Sequence, residues 1–173
     1  MSRILALAAL AAMLLVVAET RAETKVTISG THLCCGQCLR AVDATLKEIK
    51  GVTHKSSQEA KTIELTAEND EAAQKAVNAL AAAGFYGKTN SDKVKYADVA
   101  ASQDAVERIE VEGIHNCCGQ CTTAIKKAVT GVSGVTGTGI KAKDTTFVVE
   151  GKFKPADLVK ALLDAGFYVK VKK

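Results

Sequence analysis

The sequence predicts an α+β fold in which two domains with the same order of elements follow each other along the chain. A cysteine-rich string supports the duplication, because HLCCGQC at residues 32–38 returns as HNCCGQC at residues 115–121. Each copy follows an alternating apolar run, which is typical of a half-buried strand, and precedes a helical pattern. The residues after both strings can also be aligned, so we expect each half to have the order β-α-β-β-α-β.

The first strand and helix of each half are indicated by matching periodicities. Residues 25–30 and 108–113 alternate between apolar and polar and end at glycine, as a strand does before a turn. Apolar residues three, four and seven apart follow the cysteines and mark one face of a helix. These residues are Leu39, Val42, Leu46 and Ile49 in the first half and Ile125, Ala128, Val129 and Val132 in the second.

The remaining elements repeat in the same way. Val52 and Val135 open a second strand, and residues 62–65 and 146–149 form a third. A second helix ends in Ala-Gly-Phe-Tyr in both halves, at residues 83–86 and 165–168, and a last strand covers residues 85–88 and 168–171. This order is the split β-α-β, or ferredoxin-like, arrangement.

The domain boundaries follow from the repeat and from the start of the chain. Residues 1–22 contain an apolar run of about 15 residues closed by small residues, which predicts a secretory signal peptide, with an uncleaved anchor as the alternative. Residues 23–89 form the first domain, residues 90–106 a polar linker, and residues 107–173 the second domain. We therefore expect an exported protein, periplasmic or secreted, with no stable membrane anchor after cleavage.

Composition argues against a nucleic-acid-binding protein. The formal net charge is +4 and aromatic residues make up 4% of the chain, without a basic run or an aromatic cluster. A nucleic-acid interface needs a clustered basic face or aromatic rings on which bases stack. We expect no nucleic acid among the partners.

All six cysteines and two of the three histidines belong to the repeated strings. Thiolates select soft ions, and the free N–H groups at a helix start favour the charged form of a thiol. Two thiolates suit Cu(I), whereas three thiolates and an imidazole match the tetrahedral Cys₃His shell of Zn(II). The candidate ligands are His32, Cys34, Cys35 and Cys38 in the first loop and His115, Cys117, Cys118 and Cys121 in the second. Adjacent cysteines usually point apart, so two alternatives remain: one of each neighbouring pair stays outside the shell, or all three thiols of a loop bind the ion, which the recurrence of the triplet in both halves favours.

The strand end, cysteine loop, helix start and Gly-Phe-Tyr element together resemble the heavy-metal-associated domain of copper chaperones and of metal-transporting ATPases. The resemblance covers nearly all of both halves and implies that Cys-x-x-Cys pairs hold the metal, here Cys35 with Cys38 and Cys118 with Cys121. It implies up to one soft ion, Cu(I) or Zn(II), per domain, and a metal-transfer partner protein. The chain departs from the family's Gly-Met-x-Cys-x-x-Cys loop in lacking the methionine and in carrying the extra cysteine and histidine, which leaves the choice of metal open.

The favoured interpretation is a non-enzymatic protein that buffers, sequesters or hands on a soft ion. The main alternative is a thiol–disulfide oxidoreductase, since a Cys-x-x-Cys at a helix start is also a redox arrangement. Against it, the predicted elements lack a thioredoxin-like order and no tryptophan precedes either pair. A pure interaction module and structural disulfides are further alternatives; a disulfide within five residues would close a very small loop and stabilise little.

Overall fold

A computed structural model describes residues 23–172, so the predicted signal peptide lies outside the described residues. The first half contains β1 (Thr24–Ser29), α1 (Gly36–Leu46), β2 (Val52–Ser57), β3 (Thr62–Ala67), α2 (Asp70–Ala82) and β4 (Lys88–Thr89). The second half contains β5 (Val106–Glu112), α3 (Gly119–Thr130), β6 (Val135–Thr138), β7 (Thr146–Phe153), α4 (Pro155–Asp164) and β8 (Lys170–Lys172).

Each half is a four-stranded antiparallel sheet with two helices, which confirms the predicted α+β class and the two ferredoxin-like domains. The strand orders are β2-β3-β1-β4 and β6-β7-β5-β8. In the first sheet Val26 lies opposite Leu65 and Ile28 opposite Ile63, so that the alternating apolar residues share one buried face. Helix α1 covers that face with Val42 and Leu46. In the second half, α3 covers the corresponding face of its own sheet with the equivalent residues.

The last strand of each half is shorter than the sequence predicts. Phe85 and Phe167 do not extend β4 and β8; they pair with each other in an isolated antiparallel bridge between the two halves. Both rings are buried, so each aromatic residue contributes to the contact between the halves as well as to a core.

The two halves dock through the Gly-Phe-Tyr elements, in a nearly symmetrical arrangement. Tyr86 N–H donates to the carbonyl of Gly166 over 3.1 Å, and Tyr168 N–H donates to that of Gly84 over 3.0 Å. A Cβ at Gly84 would lie 2.2 Å from the backbone nitrogen of His115, and a Cβ at Gly166 would lie 2.4 Å from that of His32. Only glycine therefore allows the cysteine loop of one half to approach the helix end of the other.

The segment between β4 and β5 is polar, as predicted, but it lies against both halves. Val94 is buried, and the ring of Tyr96 lies 5.0 Å from that of Tyr86 and 5.9 Å from that of Tyr168. The hydroxyl of Tyr168 donates to the carbonyl of Ala97. These contacts hold the connection close to the interface between the domains.

Within residues 23–172, none of the helices has the length and apolar character that crossing a membrane requires.

Candidate metal centre

The cysteine loops connect a sheet strand to the first turn of a helix in each half. Cys35 and Cys118 are the N-cap residues of α1 and α3, with extended φ values of −159° and −152°, and neither side chain caps its helix. The third cysteine of each string, Cys38 or Cys121, lies in the first helical turn and is fully buried. The helix start therefore places a buried thiol beside two half-buried ones.

The structure brings both loops into one cluster of six thiols. Cys34 Sγ lies 3.5 Å from Cys121 Sγ and 3.6 Å from Cys118 Sγ. Cys38 Sγ lies 3.6 Å from Cys117 Sγ and 3.9 Å from Cys121 Sγ, while Cys35 and Cys118 are separated by 3.8 Å. Distances across the interface are as short as those within a loop, such as 3.6 Å between Cys34 and Cys38. No pair is joined by a disulfide among these six residues.

This arrangement differs from one expectation based on the sequence. The repeat predicts two separate sites with up to one ion each, but the two loops face each other, because the Gly-Phe-Tyr elements dock the halves at this point. The sequence leaves open whether all three thiols of a loop converge. Both Cys34 and Cys35 reach the cluster, and Cys34 extends toward the thiols of the other half.

His32 and His115 lie at the edge of the cluster, each stacked on a phenylalanine of the other half. The ring centroids are 4.4 Å apart for His32 and Phe167 and 4.1 Å apart for Phe85 and His115. The Nε2 atom of each histidine is buried and has no hydrogen-bond partner among the residues that the structure describes. Burial lowers the pKa of His32, which favours the neutral imidazole that can ligate a metal.

Two donor sets combine these histidines with thiols from both halves. A ligand atom of His115 and the sulfurs of Cys38, Cys117 and Cys121 all lie within 4.8 Å of one another. A ligand atom of His32 shares such a group with the sulfurs of Cys34 and Cys121. Polar atoms buried without a partner are costly, so these unsatisfied nitrogens fit a site whose remaining partner is a metal ion.

The thiols differ in acidity because of their hydrogen bonds and their burial. The hydrogen bond between the thiols of Cys38 and Cys121 lowers the pKa of Cys38 and raises the pKa of Cys121. The backbone N–H of Cys121 lowers the pKa of Cys118 to about 7, whereas burial raises the pKa of Cys34, and that of Cys117 to about 12. A thiolate is thus most favoured at Cys38 and Cys118, one in each loop.

One face of the cluster opens into a groove of about 700 Å³. Cys35 and Cys118 lie in this groove together with Gln37, Gln120 and Arg40, whereas Cys38 and Cys121 are fully buried. The site therefore has an accessible pair of thiols and an enclosed pair.

Three residues that are not candidate ligands help to hold the loops. Asn116 donates from Nδ2 to the carbonyl of Lys141 over 2.8 Å and accepts from the hydroxyl of Thr122 over 2.8 Å. Leu33, at the equivalent position, is buried in the apolar core, and Gln58 donates to the carbonyl of Cys34. The equivalent residues Leu33 and Asn116 thus anchor the two loops differently, Leu33 by apolar packing and Asn116 by hydrogen bonds.

No family model matches the chain, and no curated protein matches it. Among solved structures, the N-terminal soluble domains of Bacillus subtilis CopA are similar at 19% identity and a TM-score of 0.31, over 88% of this chain and 95% of that one. The first two RRM domains of yeast poly(U)-binding protein Pub1 are similar at 9% identity and a TM-score of 0.28, over 86% and 98%. At these TM-scores neither similarity carries an argument about function.

Proposed function

We propose that this protein binds soft metal ions in the six-thiol cluster, as a binding protein and not as an enzyme. The observation that supports this is the convergence of all six cysteines, with cross-interface sulfur distances of 3.5–3.9 Å. Sulfur-rich donor sets select Cu(I), Zn(II) and similar ions over hard cations. The imidazoles of His32 and His115, whose ligand atoms lie within 4.8 Å of cluster thiols, add nitrogen donors at the same place.

The open groove suits exchange of the metal with another protein. Ligand exchange requires the incoming thiolate to reach the ion before the outgoing one leaves, and Cys35 and Cys118 are the thiols that line the groove. Cys38 and Cys121 would retain the ion during this step, because solvent does not reach them. The proposed role is therefore to buffer, sequester or hand on a soft ion, in a compartment outside the cytoplasm if residues 1–22 act as a signal peptide.

The test is metal content after reduction, measured by elemental analysis together with a count of free thiols. The reduced protein is expected to retain Cu(I) or Zn(II) through gel filtration, and Cys38→Ser combined with Cys121→Ser is expected to lose most of it. His54→Ala is the matched control, since His54 lies on β2 and contacts Asp43 outside the cluster. Retention of metal by the cysteine variant at the wild-type level would refute the proposal.

The oxidoreductase alternative has one supporting observation, the lowered pKa of the accessible Cys118 thiol. It predicts reduction of a protein disulfide at the expense of a dithiol reductant, with loss of activity in Cys118→Ser. A binding protein shows no such turnover at a rate above that of the reductant alone.

A further inference from the structure

The six sulfur atoms are arranged as the corners of an octahedron. The edges are the pairs within 4.8 Å, nine of which are separated by 3.5–4.0 Å. Cys34, for example, has Cys35, Cys38, Cys118 and Cys121 as its neighbours, and Cys117 is the opposite corner. The other opposite pairs are Cys35 with Cys121 and Cys38 with Cys118. In all three pairs the two corners come from different halves.

The faces of this octahedron have the size of three-coordinate metal sites. The sulfurs of Cys34, Cys118 and Cys121 are 3.5, 3.6 and 3.7 Å apart. A point equidistant from three sulfurs with such spacings lies about 2.0–2.3 Å from each, close to a metal–thiolate bond length. The face formed by Cys38, Cys117 and Cys121 has spacings of 3.6, 3.8 and 3.9 Å.

Four alternate faces use every thiol twice. They are Cys34–Cys35–Cys38, Cys34–Cys118–Cys121, Cys35–Cys117–Cys118 and Cys38–Cys117–Cys121. Thiolate sulfur can bridge two soft ions, and Cu(I) accepts three such donors. Six bridging thiolates therefore suffice for four Cu(I) ions, and three of the four faces contain cysteines of both halves.

We infer that the two cysteine loops form a single site for a four-Cu(I) thiolate cluster shared between the domains, an inference that rests on the proposed function. On loading, six thiols release their protons and four Cu–S₃ units form, which leaves the cluster with two excess negative charges. The starts of α1 and α3 face this charge with their backbone N–H groups, and Arg40 lies in the adjoining groove.

The shared cluster gives the extra cysteine of each string a role. A Cys-x-x-Cys pair alone supplies four thiols in two halves, too few to enclose four three-coordinate ions. Cys34 and Cys117 supply the remaining two corners, and each approaches thiols of the other half, at 3.5 Å for Cys34 with Cys121 and 3.6 Å for Cys117 with Cys38.

The decisive experiment is an anaerobic titration of the reduced protein with Cu(I), supplied as its acetonitrile complex in competition with a chromogenic chelator. The expected end point is four equivalents per chain, with the luminescence of a polynuclear Cu(I)–thiolate cluster and a copper–copper distance in X-ray absorption. An end point of two, without a copper–copper distance, would overturn the shared cluster and leave the proposed function intact. Binding no greater than that of a chain with all six cysteines replaced by serine would overturn both.

A matched pair of glycine variants, in which every thiol is kept, distinguishes a shared cluster from two independent sites that lie side by side. Gly84→Ala with Gly166→Ala places Cβ atoms against the opposite loop and undocks the halves. Gly30→Ala with Gly113→Ala introduces the same positive-φ strain, at +80° and +76°, where nothing lies within 4 Å. The first variant is expected to bind about half as much Cu(I) as the second, with the luminescence lost. Equal end points for the two would refute the inference.

A single substitution gives a readout that does not depend on undocking. Cys34→Ser removes one corner and therefore two of the four faces. In one of these two faces the other corners are Cys118 and Cys121, both of the second half. The expected loss is two equivalents of Cu(I). A loss of none, or of one equivalent confined to the first half, would contradict the shared cluster.

Discussion

The two histidines of the repeated strings occupy different donor sets although their sequence contexts are almost the same. His115 lies within 4.8 Å of three thiols, those of Cys38, Cys117 and Cys121, whereas His32 shares a group with two. Three thiolates with one imidazole are a typical Zn(II) shell. His115 therefore has the surroundings of a zinc ligand, and one of its three thiols belongs to the other half.

The inequivalence can be tested with substitutions that keep the ring stacking. We expect His115→Phe to weaken Zn(II) binding by at least about tenfold, because a nitrogen ligand is lost, and His32→Phe to have a much smaller effect. Affinity would be measured by competition with a chromogenic zinc chelator. Equal losses in the two variants would show that the histidines act alike. Thermal unfolding of the metal-free variants provides the control for damage to the Phe85 and Phe167 stacks.

Sequence periodicity was sufficient to predict the helices and most strands, because these elements bury a regular apolar face. It was insufficient for β4 and β8, because the predicted strands begin at Phe85 and Tyr168 whereas the observed ones begin at Lys88 and Lys170. The alternation of apolar and polar residues is the same whether a segment pairs within a sheet or across an interface. The sequence likewise predicts a polar linker but does not show that Tyr96 packs between Tyr86 and Tyr168.

The helix starts offer a matched comparison of capping. Asn69 caps α2 by accepting from the N–H of Ala72 over 2.8 Å, whereas Lys154, at the start of α4, makes no side-chain cap. We expect Asn69→Ala to lower the free energy of unfolding by about 1 kcal/mol. Lys154→Ala is expected to change it by less than about 0.5 kcal/mol. Denaturant unfolding of the reduced, metal-free protein measures both, and a loss as large in the Lys154 variant would contradict the assignment.

A second matched pair consists of the hydroxyls of Tyr96, in the linker, and Tyr168, which packs against the linker. Within residues 23–172 the buried Tyr96 hydroxyl has no hydrogen-bond partner, and burial raises its pKa. The Tyr168 hydroxyl donates to the carbonyl of Ala97 over 3.1 Å. Tyr96→Phe is therefore expected to leave stability unchanged or to increase it, while Tyr168→Phe lowers it by about 1 kcal/mol. Thermal unfolding midpoints distinguish the two, and the reverse order would show that the Tyr96 hydroxyl has a partner.

At the scale of the whole molecule, the docking of the halves is the feature that sequence reasoning could not supply. The glycine of each Ala-Gly-Phe-Tyr element reads as a helix stop, and the positive φ values of Gly84 and Gly166 agree with that. The same glycines also permit the close approach of His115 and His32. Glycine is required both to end the helix and to let the opposite loop approach. The sequence of one half therefore indicates the turn, but it does not indicate that the other half docks against it.

The shared cluster predicts that metal changes how the halves unfold. Each core is small, and without metal the halves are joined by the Phe85–Phe167 contact, the stacking of His32 and His115 on these rings, a few backbone hydrogen bonds and the linker. Val42→Ala, which removes two buried methyl groups from the first core, costs about 2 kcal/mol. In the metal-free protein we expect this loss to lower the midpoint of the first half more than that of the second.

In the Cu(I)-loaded protein the same substitution is expected to lower both midpoints equally. Ions bound by thiolates of both halves stabilise only the docked, folded state, so opening either half releases the cluster and destabilises the other. Amide signals from β3 and β7, followed by NMR during heating, report the two halves separately. If β7 keeps its wild-type midpoint in the loaded Val42→Ala protein, the metal does not couple the halves. The ions would then lie in separate sites that the docking merely places side by side.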